Sequence, residues 1–149
     1  MNKFKSILAM LAVAVFAVAC QKETTPAIEY LDVTPNNLSG KWQLVEWNGQ
    51  PLSGGTYFYV EFTRKDREFT IWQNFDSISS NAHEVTGQYN IQTDVELGAI
   101  IIGKYNYDGG FWAHNYEVND LTSTSMTWVA VDDSNFVQKF VRVNNIPVK

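Results

Sequence analysis

The sequence predicts an all-β domain, an eight-stranded antiparallel up-and-down barrel that follows a removable leader and a flexible tether. Three observations carry this expectation. No long window keeps a helical period; short runs rich in Val, Ile, Thr and aromatic residues recur instead between clusters of Gly, Asn, Asp and Ser. The links between runs are short and polar, as hairpins require. A meander of eight such strands removes its exposed edges by closing on itself.

The leader is residues 1–19. Lys3 and Lys5 precede an unbroken apolar run of 13 residues, 7–19, well short of the about 20 that a membrane-spanning helix needs. Ala17-Val18-Ala19 then supplies the small residues that a signal peptidase requires ahead of Cys20. An ordinary peptidase cutting there would release a soluble protein. Cys20, the only cysteine, would then sit as a free thiol in an oxidising compartment, where it invites intermolecular pairing. Acylation removes that liability. The arrangement resembles the bacterial lipobox, with Ala17 where that family prefers Leu, and the resemblance implies that Cys20 is lipidated and anchors the mature chain. At about 0.8 kcal/mol per buried methylene, anchoring by more than one acyl chain is stable, so the first expected partner is the membrane.

Residues 20–37 read as the lipidated cysteine and a linker. Thr24, Thr25, Pro26, Pro35, Asn36 and Asn37 stand there among few large apolar groups. Gln21-Lys22-Glu23 is similar to the signal that sends Bacteroidota lipoproteins to the outer face of the outer membrane; the same residues also suit an ordinary linker. The expected location is the outer membrane, lipid-anchored, at the cell surface on the first reading and facing the periplasm on the second.

Removing residues 1–19 takes two lysines with it. Nine Lys and Arg then face 16 Asp and Glu, a formal charge of 9 − 16 = −7. Phosphate backbones repel so acidic a domain, which argues against nucleic acid as a partner.

The domain is residues 38–149, with strands expected at 41–47, 56–62, 68–75, 85–91, 97–103, 111–118, 124–131 and 136–143. Arg64-Lys65-Asp66-Arg67 and Asp132-Asp133-Ser134-Asn135 are hairpin links, and Asn106-Tyr107-Asp108-Gly109-Gly110 carries the glycines of a tight turn. An immunoglobulin-like sandwich is the competing fold. It would need a longer crossover connection, and the cysteine pair that would support it is missing.

Leu38-Ser39-Gly40-Lys41-Trp42 looks like the Gly-x-Trp signature of the lipocalins. In that family the tryptophan seals the barrel floor and an arginine near the last strand lies across its ring. Phe140-Val141-Arg142 stands at the matching end of this domain, so the resemblance implies a barrel-closing set of Gly40, Trp42 and Arg142. Gly87-Gln88-Tyr89 adds to a likeness with the small lipocalin-like domains of Bacteroidota lipoproteins. The resemblance covers about residues 38–143; the family's Thr-Asp-Tyr segment is not visible.

Such a barrel holds one small ligand or is filled by its own side chains, and both remain open at this point. With Trp42 inward, alternation turns Phe58, Val60, Phe62, Phe69, Ile71, Gln73 and Phe75 inward, followed by Trp112, His114 and Tyr116 and then Met126 and Trp128. The expected ligand-binding wall is Phe58, Phe62, Ile71, Trp112, His114, Tyr116 and Trp128, with Gln73, His114 and Gln138 as polar groups that orient a small hydrophobic or amphiphilic guest. The alternative is a surface module that binds a glycan or protein partner through Tyr57, Tyr59, Tyr105, Tyr107 and Phe111.

Chemistry finds little support. His83 and His114 lack the spacing of metal ligands, and no serine stands in Gly-x-Ser-x-Gly. No glycine loop suits a phosphate, since Gly54-Gly55 and Gly109-Gly110 lack the following lysine or helix. The expectation is a non-enzyme without cofactor or metal. Asp76-Ser77-Ile78 is similar to the Bacteroidota O-glycosylation motif and makes Ser77 a candidate acceptor; an unmodified loop is the plain alternative.

Overall fold

The computed structural model describes residues 25–75 and 83–148; the leader, Cys20 with Gln21-Lys22-Glu23, and Ser77 lie outside the described residues. One short helix, α1 (Pro35–Leu38), precedes nine strands: β1 (Gly40–Trp47), β2 (Gln50–Pro51), β3 (Phe58–Phe62), β4 (Glu68–Gln73), β5 (His83–Asp94), β6 (Gly98–Tyr105), β7 (Tyr116–Asn119), β8 (Ser125–Ala130) and β9 (Asp133–Val143). β2 is a two-residue addition to the end of β1. The other eight pair antiparallel in sequence order, and β1 pairs back onto β9, closing an eight-stranded up-and-down barrel.

Alternation builds the interior. Trp42 and Leu44 of β1, Val60 and Phe62 of β3, Phe69 and Ile71 of β4, Tyr89 of β5, Ile101 of β6, Val118 of β7, Met126 and Trp128 of β8 and Phe140 of β9 form one buried cluster. A bulge between Leu44 and Glu46 breaks the period of β1. It leaves Glu46 outside, 3.0 Å from Lys139, and brings Trp47 against the core, where strict alternation from Trp42 would have pointed Trp47 to solvent.

The barrel floor is built from the chain on both sides of β1 and from β9. Thr34 caps α1 by accepting from Asn37 N, and Pro35 occupies the first turn, where its missing N–H costs nothing. Leu38, fully buried at the end of α1, accepts from Trp42 Nε1 at 2.8 Å. Arg142 lies over the Trp42 ring, 4.1 Å from its centroid. Its guanidinium donates to Ser39 O, Asn37 O and Ser123 O at 2.6, 2.7 and 2.8 Å. Gly40 has φ +122°, and a Cβ there would stand 2.5 Å from Arg142 Nη1. A glycine two residues before the tryptophan is therefore required on both counts.

The packed chain begins ahead of Leu38. Leu31 N donates to Leu121 O at 2.8 Å, and Leu31 and Val33 pack against the core, which shortens any free tether. At the other terminus the chain folds back beyond β9. Ile146 covers Tyr59 and Trp72, forming a second buried cluster on the outer face of β3 and β4. Tyr59, expected to be an exposed outward ring, does point out of the barrel but is only 7% exposed beneath this segment.

The expected strand 111–118 is the one that departs most. Only Tyr116–Asn119 is strand; Phe111 makes a single bridge to Lys104, Trp112 N donates to Gly103 O at 2.9 Å, and the chain then bends at residues 113–114. The tight turn before them is locked by Asp108, which accepts from Gly110 N at 2.7 Å. Trp112 then folds inward over Gly103, whose missing side chain makes the room: a Cβ there would overlap the indole.

Candidate functional site

The interior is largely filled, and a cavity of about 110 Å³ lies among its side chains. Phe58 of β3, Ile71 of β4, Tyr116 of β7 and Trp128 of β8 form its walls together with Trp112, while Tyr105, Ala113 and Gln138 complete the lining. Five of the residues expected to face a guest thus meet around one void: Phe58, Ile71, Trp112, Tyr116 and Trp128. Tyr116 and Trp128 stack with centroids 5.1 Å apart, and Trp112 lies 5.6 Å from Trp128.

Two of the expected residues stand elsewhere. Phe62 belongs to the solid core below the cavity, edge-on to Tyr89 at 5.0 Å and 6.1 Å from Trp128. His114 is carried out of the lumen because the chain bends at residues 113–114, between Trp112, which still donates to Gly103 O, and Asn115, which accepts from Val131 N, so alternation does not hold its side chain on the inner face. Its Nδ1 lies 2.7 Å from Asp132 Oδ1, and its ring packs 4.7 Å from Phe136. That hydrogen bond holds the Asp132 carboxyl below its ordinary value.

The lumen is apolar but not without polar groups. Trp112 and Trp128 are 7% and 3% exposed, and the Nε1–H of each is buried without a hydrogen-bond partner. A buried donor left unmet costs about 1–3 kcal/mol, and such groups in native proteins call for an explanation. Gln138 lines the same void at 6% exposure, the buried polar side chain among the described residues. Burial, reinforced by Tyr105 and Asp132, pushes the Tyr116 hydroxyl up to about 12.

Above the cavity the barrel ends in an aromatic cover. Trp47 meets Phe75 edge-on at 5.3 Å and Phe136 at 5.1 Å, reaching from β1 across the mouth to the residues that follow β4 and to β9. Trp47 was not among the residues alternation singled out, since only the bulge brings it inside. Beside the cover, Gln73, His83, Val85, Tyr105 and Tyr107 line a second, open cavity of about 400 Å³. Tyr105 borders both this vestibule and the lumen. Gln73 is therefore a vestibule residue and Gln138 a lumen residue.

A third cavity, about 630 Å³, lies on the outside of the barrel where β6 and the 111–115 segment part. Asn90, Gln92, Asn115 and Asp132 give it polar atoms, and Ile102, Phe111 and Val131 give it apolar ones. Phe111 is 66% exposed at its rim. His114 lines this groove rather than the lumen. Among the described residues no group of three or more His, Cys, Asp or Glu side chains could hold a metal ion, and no hydroxyl side chain is hydrogen-bonded to His114.

No protein-family model matches the chain, and no curated protein matches its sequence significantly.

Proposed function

We propose that this chain is a membrane-anchored, lipocalin-like lipoprotein whose barrel takes up one small hydrophobic or amphiphilic guest. The observation that supports it most directly is the lumen void, walled by Phe58, Ile71, Trp112, Tyr116 and Trp128 and separated by Tyr105 from a second, open cavity. The likeness in Gly40, Trp42 and Arg142 supports the family reading. The basic, apolar and small-residue leader ending at Cys20 supports the anchor, at the outer membrane. Because the N-terminal segment meets the barrel at the Trp42 floor and β1 runs from there to Trp47 at the mouth, an anchor at Cys20 attaches behind the closed end. The mouth then opens away from the lipid, and the guest arrives from the aqueous side.

Size limits the guest. Ligand pockets for drug-sized molecules are about 300–1,000 Å³, so the lumen as it stands admits a much smaller molecule, with longer ones requiring the vestibule. Native mass spectrometry of the detergent-extracted protein tests both parts. The expected result is an acyl increment on Cys20 and a non-covalent guest that is missing from Ile71→Trp, whose larger side chain fills the void. A bare chain starting at Cys20 would overturn the anchor. Tryptophan emission unchanged by any small hydrophobe would overturn the lumen as a binding site.

A second reading rests on the outer groove. An exposed Phe111 beside the amides of Asn90, Gln92 and Asn115 offers the ring face and hydrogen-bonding groups that suit a sugar. A glycan array that is lit by the intact protein and dark for Phe111→Ala would favour this surface over the lumen.

A further inference from the structure

We infer that the lumen void and the outer groove are the two halves of one divided site, whose guest is an amphiphile with a short alkyl end in the void and an uncharged, hydroxyl-bearing head in the groove. This rests on the lumen being a binding site. The two cavities share part of their lining, since Trp112 and Ala113 border both. The partition stands where the β6–β7 ladder is sparse: Ile100 pairs with Glu117 and Ile101 with Tyr116, Lys104 bridges to Phe111, and the chain bends between them at residues 113–114. One of the two dividing side chains is only a methyl group. The other, Trp112, is held by packing, with its ring centroid 4.9 Å from that of Phe69 and 5.6 Å from that of Trp128, and its Nε1–H has no hydrogen-bond partner. Turning that indole aside therefore breaks ring contacts and no side-chain hydrogen bond.

Size and charge describe the guest. The void, about 110 Å³, is too small for a drug-sized molecule, whereas the groove, about 630 Å³, lies within the range of about 300–1,000 Å³ usual for such ligands. The groove competes with the vestibule for whatever the void cannot hold. Its amides on Asn90, Gln92 and Asn115 both donate and accept, as hydroxyls do. Phe111 and Val131, 66% and 44% exposed, add apolar surface for the face of a sugar ring. Neither cavity has a lysine or arginine in its lining. Asp132 stands in the groove, kept ionised by its hydrogen bond with His114 Nδ1. A carboxylate or phosphate head would meet that like charge with no lysine or arginine on the lining to balance it.

The test uses the full chain labelled with ¹³C-methyl isoleucine, since Ile71 lines the void alone and Ile102 the groove alone. It is titrated with hexyl glucoside below its micelle concentration, with glucose, with hexanoate and with methylcyclopentane. Hexyl glucoside is expected to move Ile71 and Ile102 along one isotherm, with nuclear Overhauser contacts from its terminal methyl to Ile71 and from its sugar protons to Ile102. Glucose and hexanoate should each bind about tenfold more weakly or worse. Ala113→Trp, which thickens the partition, should weaken the glucoside without weakening methylcyclopentane, and the contacts in the parent protein decide the matter if that variant does not fold. If methylcyclopentane moves Ile71 while the glucoside contacts only one of the two isoleucines, or its sugar protons contact Tyr107 in place of Ile102, the divided site is wrong and the lumen reading stands. Hexanoate binding as tightly as the glucoside overturns the uncharged head. Ile71 unmoved by every compound overturns the inference together with the lumen reading beneath it.

Discussion

Arg142 closes the barrel by lying over Trp42, with its guanidinium carbon 4.1 Å from the ring centroid and its three nitrogens spent on three backbone carbonyls. The two residues are also partners in the β1–β9 ladder. One side chain therefore joins the segment before β1, the segment before β8 and the last strand. Burial lowers its pKa from the ordinary value, the price of placing a cation in the floor, and the carbonyl dipoles and the ring face offset it.

Trp42→Ala should cost about 3–5 kcal/mol, as expected for emptying a fully buried indole site. Arg142→Ala should cost about 2–3 kcal/mol, less than three charged-donor hydrogen bonds at about 1.5–3 kcal/mol each would sum to, because the three carbonyls are exposed or only part-buried and can take water instead. Arg142→Lys should recover little, because an ammonium cannot span three carbonyls and a ring at once. Urea unfolding of the two single variants and the double variant checks the pairing; strictly additive losses would contradict it.

Gly103→Ala should destabilise by about 1–3 kcal/mol through overpacking, because its methyl group would occupy the space of the Trp112 indole. The companion change Gly87→Ala presses on Phe69 and on the Lys104 carbonyl. Thermal melts give the magnitude, and a red shift in tryptophan emission for Gly103→Ala, absent from Gly87→Ala, locates the displaced ring.

Ile146→Ala should cost about 2 kcal/mol, at the low end for a buried aliphatic truncation because the site is a surface cluster. Acrylamide should then quench Trp72 more strongly, since Ile146 is what covers it together with Tyr59. Quenching unchanged from the parent protein would mean that the segment after β9 does not stay docked in solution.

Stability should fall as pH rises from about 10 to about 12. The Tyr116 hydroxyl is raised from 10.0 to about 12 in the folded protein, so over that window the unfolded chain has lost its proton while the native one keeps it. Fewer protons bound in the unfolded state make stability decline with pH. Tyr116→Phe should flatten this part of the profile, measured as denaturant midpoint against pH.

Much of the fold was legible because barrel strands write their inner face at every second residue, and the pairing of Trp42 with Arg142 was legible only through the likeness of Gly40-Lys41-Trp42 to the Gly-x-Trp signature. What escaped the pattern did so wherever the period broke. Trp47 changes sides at a bulge that no residue type announces. His114 leaves the lumen because the chain bends at residues 113–114, between the Phe111 bridge and the start of β7. Tyr59 is covered by Ile146, a contact between outer faces that alternation does not encode. The void itself depends on the sum of side-chain volumes in three dimensions, and a list of inward residues cannot supply that sum.

The closure between β1 and β9 also sets the order in which the domain can form. Arg142 donates to a carbonyl 103 residues earlier in the chain, a contact whose loop-closure entropy must be met before it rewards anything. Until β9 docks, β1 and β8 present open sheet edges able to pair with any other extended chain. Slow, late closure makes the final strand the point of kinetic vulnerability. A chain truncated within β9 should therefore accumulate as aggregates joined edge to edge, and not as a slightly weakened barrel.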